Sequence, residues 1–533
     1  MTVSPVPPRD EGTIADAAAD SICKRSARPW VLAATILASS MVFIDGTVVN
    51  VALPALQRAF GASASDVQWV VESYALFLAA LLLVGGTAGD RFGRRRVFAL
   101  GVALFAVASI WCGVTGSVMQ LIFARAVQGI GGALLVPGSL ALISASFPAS
   151  ERGKAIGTWS GYTAITAAIG PVIGGFLIDH VSWRMAFLIN VPLALLILIL
   201  AFRYMPESRD QRASGSLDWA GAALASIGLG CLVYGLIESS NKGWGDVTVI
   251  ATLVLAVLMI AMFIGVELRH PAPMLPLGLF RSRNFSGANL LTLLLYAALG
   301  GGLYFFPLNL IQVQGYSALA AGAALLPFVL LLFSLSRWSG GLVDRYGAKG
   351  PLVIGPTIAA IGFAAFAVPG VGGSYWANYF PAVLMLGFGM SITVAPLTTT
   401  VMNALDQRLA GAASGVNNAV SRTAALLAIA IFGIVMNLAF NASLDRHLKP
   451  LNMSPDKLHK VHAQRAKLAA IELPANASEQ ERVALKSAIS QAYVSGFRWV
   501  MLLSAFLALS SALSACLLIG GRPQEQQKPE WER

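Results

Sequence analysis

Charged residues are scarce in this sequence. Only 12% of its 533 residues are Asp, Glu, Lys or Arg, and 56% are hydrophobic, whereas soluble domains have about 25% charged and 45–50% apolar residues. A soluble fold could not bury so much apolar surface, so the composition predicts a protein with many membrane-spanning segments. The net charge of +11 does not indicate nucleic-acid binding, because most basic residues stand in short loops between apolar blocks, where they act as topology signals.

Cysteine is also rare, and the motifs of several enzyme classes are missing. The four cysteines form no Cys-x-x-Cys pair and no metal-ligand spacing, so we expect no metal site. The sequence has no phosphate-binding Gly-x-x-x-x-Gly-Lys-Ser/Thr loop, no His-Glu-x-x-His motif and no nucleophile elbow. We therefore expect a protein that is not an enzyme, binds no cofactor and does not use ATP directly.

Long apolar segments are abundant. A helix needs about 20 apolar residues to cross a bilayer. Fourteen segments of this kind are predicted to be membrane spans: 30–52, 66–88, 97–115, 119–143, 153–178, 184–203, 217–238, 247–268, 286–310, 318–343, 350–369, 376–401, 410–438 and 492–520.

Basic residues in the loops predict the orientation of these segments. With the N-terminus in the cytoplasm, the cytoplasmic loops hold most of the loop arginines and lysines, whereas the short outer loops hold only Arg58, Arg184 and Lys242. This asymmetry follows the positive-inside rule and predicts cytoplasmic N- and C-termini in a plasma (inner) membrane. The basic stretch 439–491 would lie outside, which is acceptable because long loops translocate with little regard to charge.

One charged loop occurs twice. Gly86-Thr-Ala-Gly-Asp90-Arg91-Phe-Gly93-Arg94-Arg95-Arg96 follows the second apolar segment. A second copy with fewer charged residues follows the tenth apolar segment: Gly340-Gly-Leu-Val-Asp344-Arg345-Tyr-Gly347-Ala-Lys349. The recurrence indicates a duplicated chain, in which segments 1–6 and 9–14 are equivalent halves and segments 7 and 8 are an insert. Two parallel halves around a central cleft are the plan of many secondary transporters.

We therefore predict an all-α membrane fold with two six-helix bundles and two inserted helices. The predicted parts are a cytoplasmic tail 1–28, an N-terminal bundle 29–203, linkers and inserted helices 204–284, a C-terminal bundle 285–520 and a cytoplasmic tail 521–533. The C-terminal bundle includes a long extracytoplasmic loop, 439–491, in which Ser478 and Glu481 form a capping-box pattern. This loop is either a lid or partner surface, for example for a periplasmic adaptor, or a solvated hairpin.

Four motifs in the expected order carry a family resemblance. The first charged loop is one, and the others are Asp45-Gly-Thr-Val-Val-Asn50-Val-Ala-Leu-Pro54 in segment 1, Leu121-x-x-x-Arg125-x-x-Gln128-Gly129 in segment 4, and Gly161 with Gly170-Pro171-x-x-Gly174-Gly175 in segment 5. With these motifs, the sequence resembles the major facilitator superfamily, in particular its fourteen-span drug:proton antiporter family. The resemblance covers nearly the whole chain.

Asp45 and Arg125 are the main candidate proton-coupling residues. Ionisable residues inside a membrane usually face a cavity and mark proton or ion paths. The family resemblance also implies proton exchange at Asp45 and a coupling role for Arg125. The alternative for each is structural: an acid paired with a neighbouring helix, and an arginine that ties helix ends together.

Glu72 is a third candidate, which the family does not support, because its members more often have a small polar residue there. Three interpretations stay open: a second proton site, a contact for cationic substrates, or a solvated residue near the outer membrane surface.

Two further motifs are candidates for gating. The glycines and Pro171 of segment 5 would let helices approach closely and slide. At the cytoplasmic mouth, Asp90 could attract the positive N-terminal end of a helix in the other half. The resemblance implies that the whole loop holds the inner gate shut through Gly86, Asp90, Arg91, Gly93, Arg94 and Arg95, with Asp344 and Arg345 as a weaker counterpart. The alternatives are ordinary tight packing and charges that only set topology.

These observations predict a secondary transporter that exports amphipathic drugs or similar small molecules in exchange for protons, by alternating access. Its energy source would be the proton gradient, and its partners the substrate, protons and the lipid bilayer. Aromatic residues that could line the cavity and hold cations are Tyr74, Tyr162, Tyr296, Tyr304 and Phe306. The alternatives are an exporter of one metabolite, such as an antibiotic, siderophore or lipid precursor, and a membrane protein that does not transport.

Overall fold

The computed structural model of the protein describes residues 23–209, 218–270, 273, 275–404, 410–451, 453–473 and 477–520. Within these ranges every regular element is a helix. Most of the predicted tail 1–28 and the whole of the predicted tail 521–533 lie outside the described residues.

The first six predicted segments are helices joined by short turns. They are α1 Arg28–Phe60, α2 Ala64–Phe92, α3 Arg94–Val114, α4 Val118–Ser146, α5 Ala149–His180 and α6 Asn190–Tyr204. Gly61, in a left-handed conformation with φ of 61°, ends α1, and a capping box between Ser63 and Asp66 starts α2. Gly93 alone, at φ of 112°, separates α2 from α3. A residue other than glycine would be strained at that φ.

Eight further helices follow. They are α7 Trp219–Lys242, α8 Val247–Glu267, α9 Arg283–Gln312, α10 Leu326–Gly340, α11 Lys349–Phe366, α12 Phe380–Asn403, α13 Ala410–Leu448 and α14 Glu479–Leu518. Short helices precede some of them, such as Ala318–Ala323 before α10. Asp218 and Asp246 accept hydrogen bonds from the first turns of α7 and α8, which fixes where these two helices begin.

The helices are long enough to cross a membrane. Among the described residues, thirteen helices are long and apolar enough to do so, when α6 is counted from Met185 and α10 from Ala318. The remaining predicted segment, 153–178, lies in α5, which is 32 residues long. The prediction of an all-helical, multi-pass membrane protein is therefore confirmed.

Helices of the first half pack mostly on one another, as do those of the second half. In the first half, α1 packs on α5, α4 and α6, while α2 and α3 pack on α4. In the second half, α9 and α11 pack on α14, and α10 and α11 pack on α12. The inserted helix α7 contacts both α2 and α13, and a buried apolar cluster of Leu76, Val233, Ile237, Leu426 and Ala430 joins these three helices. The inserted helix α7 therefore packs where the two halves meet, and α8 packs on α7.

The segment predicted as a long loop, 439–491, is mostly helical. α13 continues to Leu448 and α14 already begins at Glu479, where the predicted capping box is present. Both helices extend beyond the apolar segments that were predicted as membrane spans, because polar residues near those ends lower the hydropathy without interrupting the helix.

The residues between α13 and α14, 449–478, form what we call the cap segment. It contains a 3-10 turn at Lys449–Leu451, the helix Pro455–Ala463 and a 3-10 turn at Arg465–Ala470. Its residues Val461, Leu468 and Ile471 are buried. The cap segment therefore packs on the bundle through these three residues, and its role as a lid, a partner surface or a solvated hairpin stays a prediction.

Candidate transport site

Asp45 and Arg125 form a buried ion pair between α1 and α4. The Arg125 Nη1 atom lies 2.5 Å from the Asp45 Oδ2 atom, and the two side chains are 0% and 1% exposed. The Arg125 Nε atom donates to the Val70 carbonyl at 3.1 Å, and the guanidinium lies 4.1 Å from the ring centre of Tyr74. Removing one member of a buried ion pair typically costs about 3–5 kcal/mol, because the other charge is left without compensation.

Three amide and hydroxyl side chains complete the surroundings of this pair. The Gln128 Oε1 atom accepts from Arg125 at 2.6 Å, and the Gln128 Nε2 atom donates to Asp45 Oδ1 at 2.8 Å. Gln128 also donates to Ser109 at 2.8 Å, and Asn190 donates to Asp45 Oδ1 at 3.0 Å. All five residues are at most 1% exposed. The carboxylate of Asp45 is thus held by three donors from α4 and α6.

The sequence indicated part of this cluster and missed the rest. Asp45, Arg125 and Gln128 belong to the motifs quoted above, whereas Ser109 and Asn190 carried no motif. Their only signal was an isolated polar residue in an apolar segment, which is common in membrane helices. The roles of Asp45 and Arg125 in proton coupling stay predictions.

Glu72 lies apart from this cluster. It precedes Tyr74 by two residues, which places it about 200° around α2 from the ring that packs on Arg125. Glu72 is 0% exposed, so the interpretation as a solvated surface residue was wrong. Neither carboxylate oxygen of Glu72 has a hydrogen-bond partner among the described residues.

Glycines of α5 bring helices of both halves into close contact. A Cβ atom on Gly170 would lie 2.4 Å from Thr47 Oγ1, and one on Gly174 would lie 2.5 Å from Val48. Both contacts are with α1. On another side of α5, a Cβ on Gly175 would lie 2.5 Å from the Ala318 carbonyl, and one on Gly322 would lie 2.2 Å from the Pro171 carbonyl. Four of the five predicted α5 residues therefore lie at helix contacts, and Gly161 lies within the same helix.

A carboxylate that the sequence did not indicate joins the halves next to these glycines. The two Asp179 oxygens accept hydrogen bonds from the backbone amides of Ala318 and Leu319, at 3.2 and 2.8 Å. A carboxylate at a helix N-terminus binds free amides and interacts favourably with the helix dipole. We call this end of the bundle the Asp179 end, and the opposite end, with the first charged loop, the Asp90 end.

The Asp179 end has further contacts between the halves. Gln312 of α9 donates to Gln57 of α1 at 2.7 Å, and Gln57 donates to the Lys467 carbonyl of the cap segment at 3.4 Å. Gln68 of α2 donates to the Ile429 carbonyl of α13 at 3.1 Å. This end of the molecule is thus held shut by side chains from both halves.

At the Asp90 end, the charged loop binds its own half. Asp90 accepts from Arg94 at 2.8 Å, rather than from a helix N-terminus of the second half as predicted. Glu207, after α6, accepts from the Arg95 amide at 3.1 Å, and its carboxylate lies 3.6 Å from Arg96. A Cβ on Gly93 would lie 2.6 Å from Glu207 Oε1, so glycine is needed there both for its φ and for this close approach.

The other predicted gating residues also lie at the Asp90 end. Gly86 lies beside Pro137 of α4, and Arg91 is exposed next to the ring of Phe92. The second copy of the loop contains the short helix Leu342–Tyr346, which includes Asp344 and an exposed Arg345. Eight helices, α3 to α10, separate the two loops, so they lie at the same end of the bundle.

The predicted cavity aromatics have different surroundings. Tyr304 lines a cleft at the Asp179 end, Tyr74 packs on Arg125, and Tyr296 is half-buried. Phe306 is 1% exposed and packs on Phe366 and Tyr379, so its prediction as a cavity residue was wrong: it belongs to the packed core of the second half. Tyr162 is exposed on α5.

Two helical halves that meet tightly at one end of a membrane bundle are the plan of many transporters. The chain belongs to the major facilitator superfamily, since that family's model, Major Facilitator Superfamily, matches residues 35–436.

Relatives support the drug-efflux branch of this family, as the motifs predicted. The chain is 37% identical over 415 residues to the tetracenomycin C resistance and export protein of Streptomyces glaucescens, an alignment that covers 77% of this chain and 76% of that protein. It is 35% identical over 435 residues to the multidrug resistance protein Stp of Mycobacterium tuberculosis (strain CDC 1551 / Oshkosh), with 80% and 79% covered.

A solved structure has the same fold. It is a bacterial homolog of the human lysosomal transporter Spinster in an inward-facing, unoccupied conformation. The TM-score is 0.66 at 18% identity, and 94% of this chain and 99% of that chain are covered.

Proposed function

We propose that this protein exports amphipathic drugs or similar small molecules in exchange for protons. The observation that carries the proposal is the Asp45–Arg125 pair, buried at 0% and 1% exposure inside the first half. A membrane-embedded carboxylate is costly to maintain, and such residues mark ion and proton paths. The family membership and the names of the drug-resistance relatives support export as the direction.

The transport cycle would alternate between two arrangements of the halves. Contacts that join the halves at the Asp179 end, such as Asp179 with Ala318 and Leu319, keep that end shut. The charged loop at the Asp90 end is bonded within its own half through Asp90 and Glu207. The arginines at 91 and 94–96 support a cytoplasmic location of the Asp90 end. In this orientation the Asp179 end, which the contacts between the halves hold shut, would face away from the cytoplasm, and both termini would be cytoplasmic.

Proton exchange would take place at Asp45. Arg125, Gln128 and Asn190 all donate to its carboxylate here. Protonation of Asp45 removes the charge that Arg125 compensates, so the ion pair weakens and the contacts of α1 with α4 and α6 change. Because α1 also packs on the α5 glycines at Gly170 and Gly174, a change at Asp45 can reach the interface between the halves.

The test is transport by the full chain in proteoliposomes with an imposed pH gradient. Wild-type protein should accumulate substrate against its gradient and move protons in the opposite direction, and an ionophore that collapses the gradient should stop accumulation. Asp45→Asn should lose this driven flux while the protein stays monodisperse. Asp246→Asn is the matched control, because Asp246 only caps α8 and Asn is an equally good cap. Accumulation that persists after the gradient collapses would contradict proton coupling.

A second candidate is export of a single metabolite. It is favoured by the relative from Streptomyces glaucescens, whose name specifies one compound, tetracenomycin C. Growth of cells that express the chain, measured against a panel of chemically diverse drugs, separates the two. Resistance to several unrelated compounds supports multidrug efflux, and resistance to one structural class supports the dedicated exporter.

A further inference from the structure

Two buried acids meet where the inserted helices approach the linker to the second half. Asp218 caps α7, and its Oδ1 atom accepts a hydrogen bond from the Gly221 amide at 2.7 Å. Glu267 is the last residue of α8, and its Oε2 atom accepts from the Leu275 amide at 2.9 Å. Asp218 and Glu267 are 5% and 3% exposed. These two bonds leave one further oxygen on each carboxyl group.

The two remaining oxygens face the same point. A Cβ atom on Gly221 would lie 2.3 Å from Asp218 Oδ2 and 3.0 Å from Glu267 Oε1. Both oxygens are buried, and neither has a hydrogen-bond partner among the described residues. Because Gly221 has no side chain, the two carboxyl groups can come close enough to hydrogen-bond to each other.

Two ionised carboxyl groups are unfavourable in such a place, because like charges at short distance disfavour the second ionisation. One proton solves both problems of the pair. It removes one of the two negative charges, and it turns one unpartnered oxygen into a donor for the other. The described residues offer no group of three His, Cys, Asp or Glu side chains that could hold a metal ion instead.

Other charged groups do not satisfy the pair. His270, which follows α8, lies within electrostatic range of Glu267, and its protonated form compensates the charge that remains on the pair. The other charged side chains of α2, α13 and the linker toward this end make no hydrogen bond or ion pair with either carboxyl group in the described part of the chain; they are Asp90, Arg91, Arg269, Arg281, Arg283 and Arg422.

The linker beyond Leu275 is attached to the second half. Ser282 donates to the Ala404 carbonyl, at the end of α12, at 3.1 Å, and α9 begins at the next residue, Arg283. Since successive helices alternate in direction, the start of α7 and the end of α8 lie at the Asp90 end. A bond between Asp218 and Glu267 therefore ties both inserted helices to the route into the second half.

We propose that Asp218 and Glu267 hold one proton between them, and that this shared proton fastens the inserted helices to the linker. The site does not involve Asp45 or the transported substrate. When the contact opens at a pH at which separate carboxyl groups are ionised, the proton is released. Each pH unit therefore makes opening about tenfold easier, until the closed pair itself loses its proton.

Amide exchange of the full chain in lipid nanodiscs measures this opening. The protection of the first turn of α7 and of Leu275, taken as the intrinsic exchange rate divided by the observed rate, should fall about tenfold or more between about pH 5 and pH 8. The first turn of α8 is the internal control, because Asp246 caps it without a second acid. An equal fall of protection in both turns would overturn the proposal.

Glu267→Gln replaces the proton-dependent bond by a permanent one, because its amide donates to Asp218 at any pH. Protection should stay high in this variant and lose its pH dependence. At neutral pH, the infrared difference between wild type and Glu267→Gln should contain a band of a protonated carboxyl group, whereas the difference for Asp246→Asn should contain only ionised carboxylate. Ionised carboxylate alone in the first difference, or protection that depends on added Mg²⁺, would overturn the shared proton.

Gly221→Ala tests the close approach itself. Alanine normally stabilises a helix relative to glycine, but this methyl group would occupy the point that both oxygens face. The protection of the first turn of α7 should therefore fall. Gly265→Ala is the matched control in α8, since nothing lies within 4 Å of its Cβ position. Unchanged or higher protection in Gly221→Ala would show that the two carboxyl groups do not meet there.

Discussion

Gly175 of α5 lies directly against the backbone of Ala318, across the boundary between the halves. A Cβ atom on Gly175 would be 2.5 Å from the Ala318 carbonyl oxygen, and Gly322 approaches the Pro171 carbonyl in the same way. Small residues of this kind let two backbones approach closely in a membrane. The Asp179 end can shut tightly because no side chain separates α5 from the short helix Ala318–Ala323.

The first prediction is that Gly175→Ala favours a state open at the Asp179 end. The added methyl group meets backbone atoms, which cannot rotate away, so the two helices must separate. Spin labels at Val181 and Val371, both exposed near this end, should show a longer distance than in wild-type protein. Gly46→Ala is the control, because nothing lies within 4 Å of its Cβ position. An unchanged distance distribution would show that this contact does not hold the end shut.

The second prediction concerns the hydrogen bonds between the halves. Asp179→Ala removes two acceptors from the N-terminal amides at Ala318 and Leu319. Loss of such a cap costs about 1 kcal/mol, so the population open at the Asp179 end should grow about fivefold relative to the closed one. Asp246→Ala removes a cap of α8 that makes no bond between the halves, and it should leave the ratio unchanged. The spin labels at Val181 and Val371 measure the ratio of the open to the closed population in both variants.

The number and order of the membrane helices could be predicted because apolar segments of membrane-spanning length can be recognised in the sequence itself. The ends of the helices were less predictable. α13 and α14 continue past the membrane-length segments to Leu448 and from Glu479, since a helix persists in polar sequence wherever it packs on a neighbour. Hydropathy reports the membrane boundary and not the helix boundary.

The candidate site was predictable only where a motif marked it. Asp45, Arg125 and the α5 glycines belong to motifs, and the structure places them at close contacts between helices. Asp179 and Asn190 act through partners far away in the chain, Ala318 and Asp45. One sequence contains no signal for such pairs. The prediction that Asp90 binds a helix of the other half was wrong for this conformation: among the described residues, its carboxylate binds Arg94 of the same loop.

The third prediction tests the Asp45–Arg125 pair as a unit. Arg125→Leu leaves the Asp45 carboxylate buried without its cation and should lower stability by about 3–5 kcal/mol. Adding Asp45→Asn to Arg125→Leu removes the uncompensated charge and should restore part of the loss. Thermal denaturation of the purified variants, followed by thiol-reactive dye, measures this. If the double variant is no more stable than Arg125→Leu, the two side chains do not act as a compensating pair.

The fourth prediction is that acid loosens the cap segment at His462. Burial and the neighbouring Arg465 lower the pKa of His462 from its usual value of about 6.5. Arg465 lies 2.9 Å from the His462 ring, and His459 adds a further repulsive charge when it is protonated. Asp445 of α13, which pairs with Arg465 and lies 3.6 Å from the His462 ring, opposes this lowering of the pKa without cancelling it.

Because the folded pKa is lowered, the contribution of His462 to stability is present above the unfolded pKa and is lost as the pH falls through the folded value. The protection of the amides in residues 455–470, measured as the intrinsic exchange rate at each pH divided by the observed rate, should therefore fall between pH 7.5 and 5, more than the protection in α4. His462→Gln removes the titrating group, and most of the additional loss of protection in the cap segment should disappear. If His462→Gln shows the same pH dependence as wild-type protein, another group controls the docking of the cap segment.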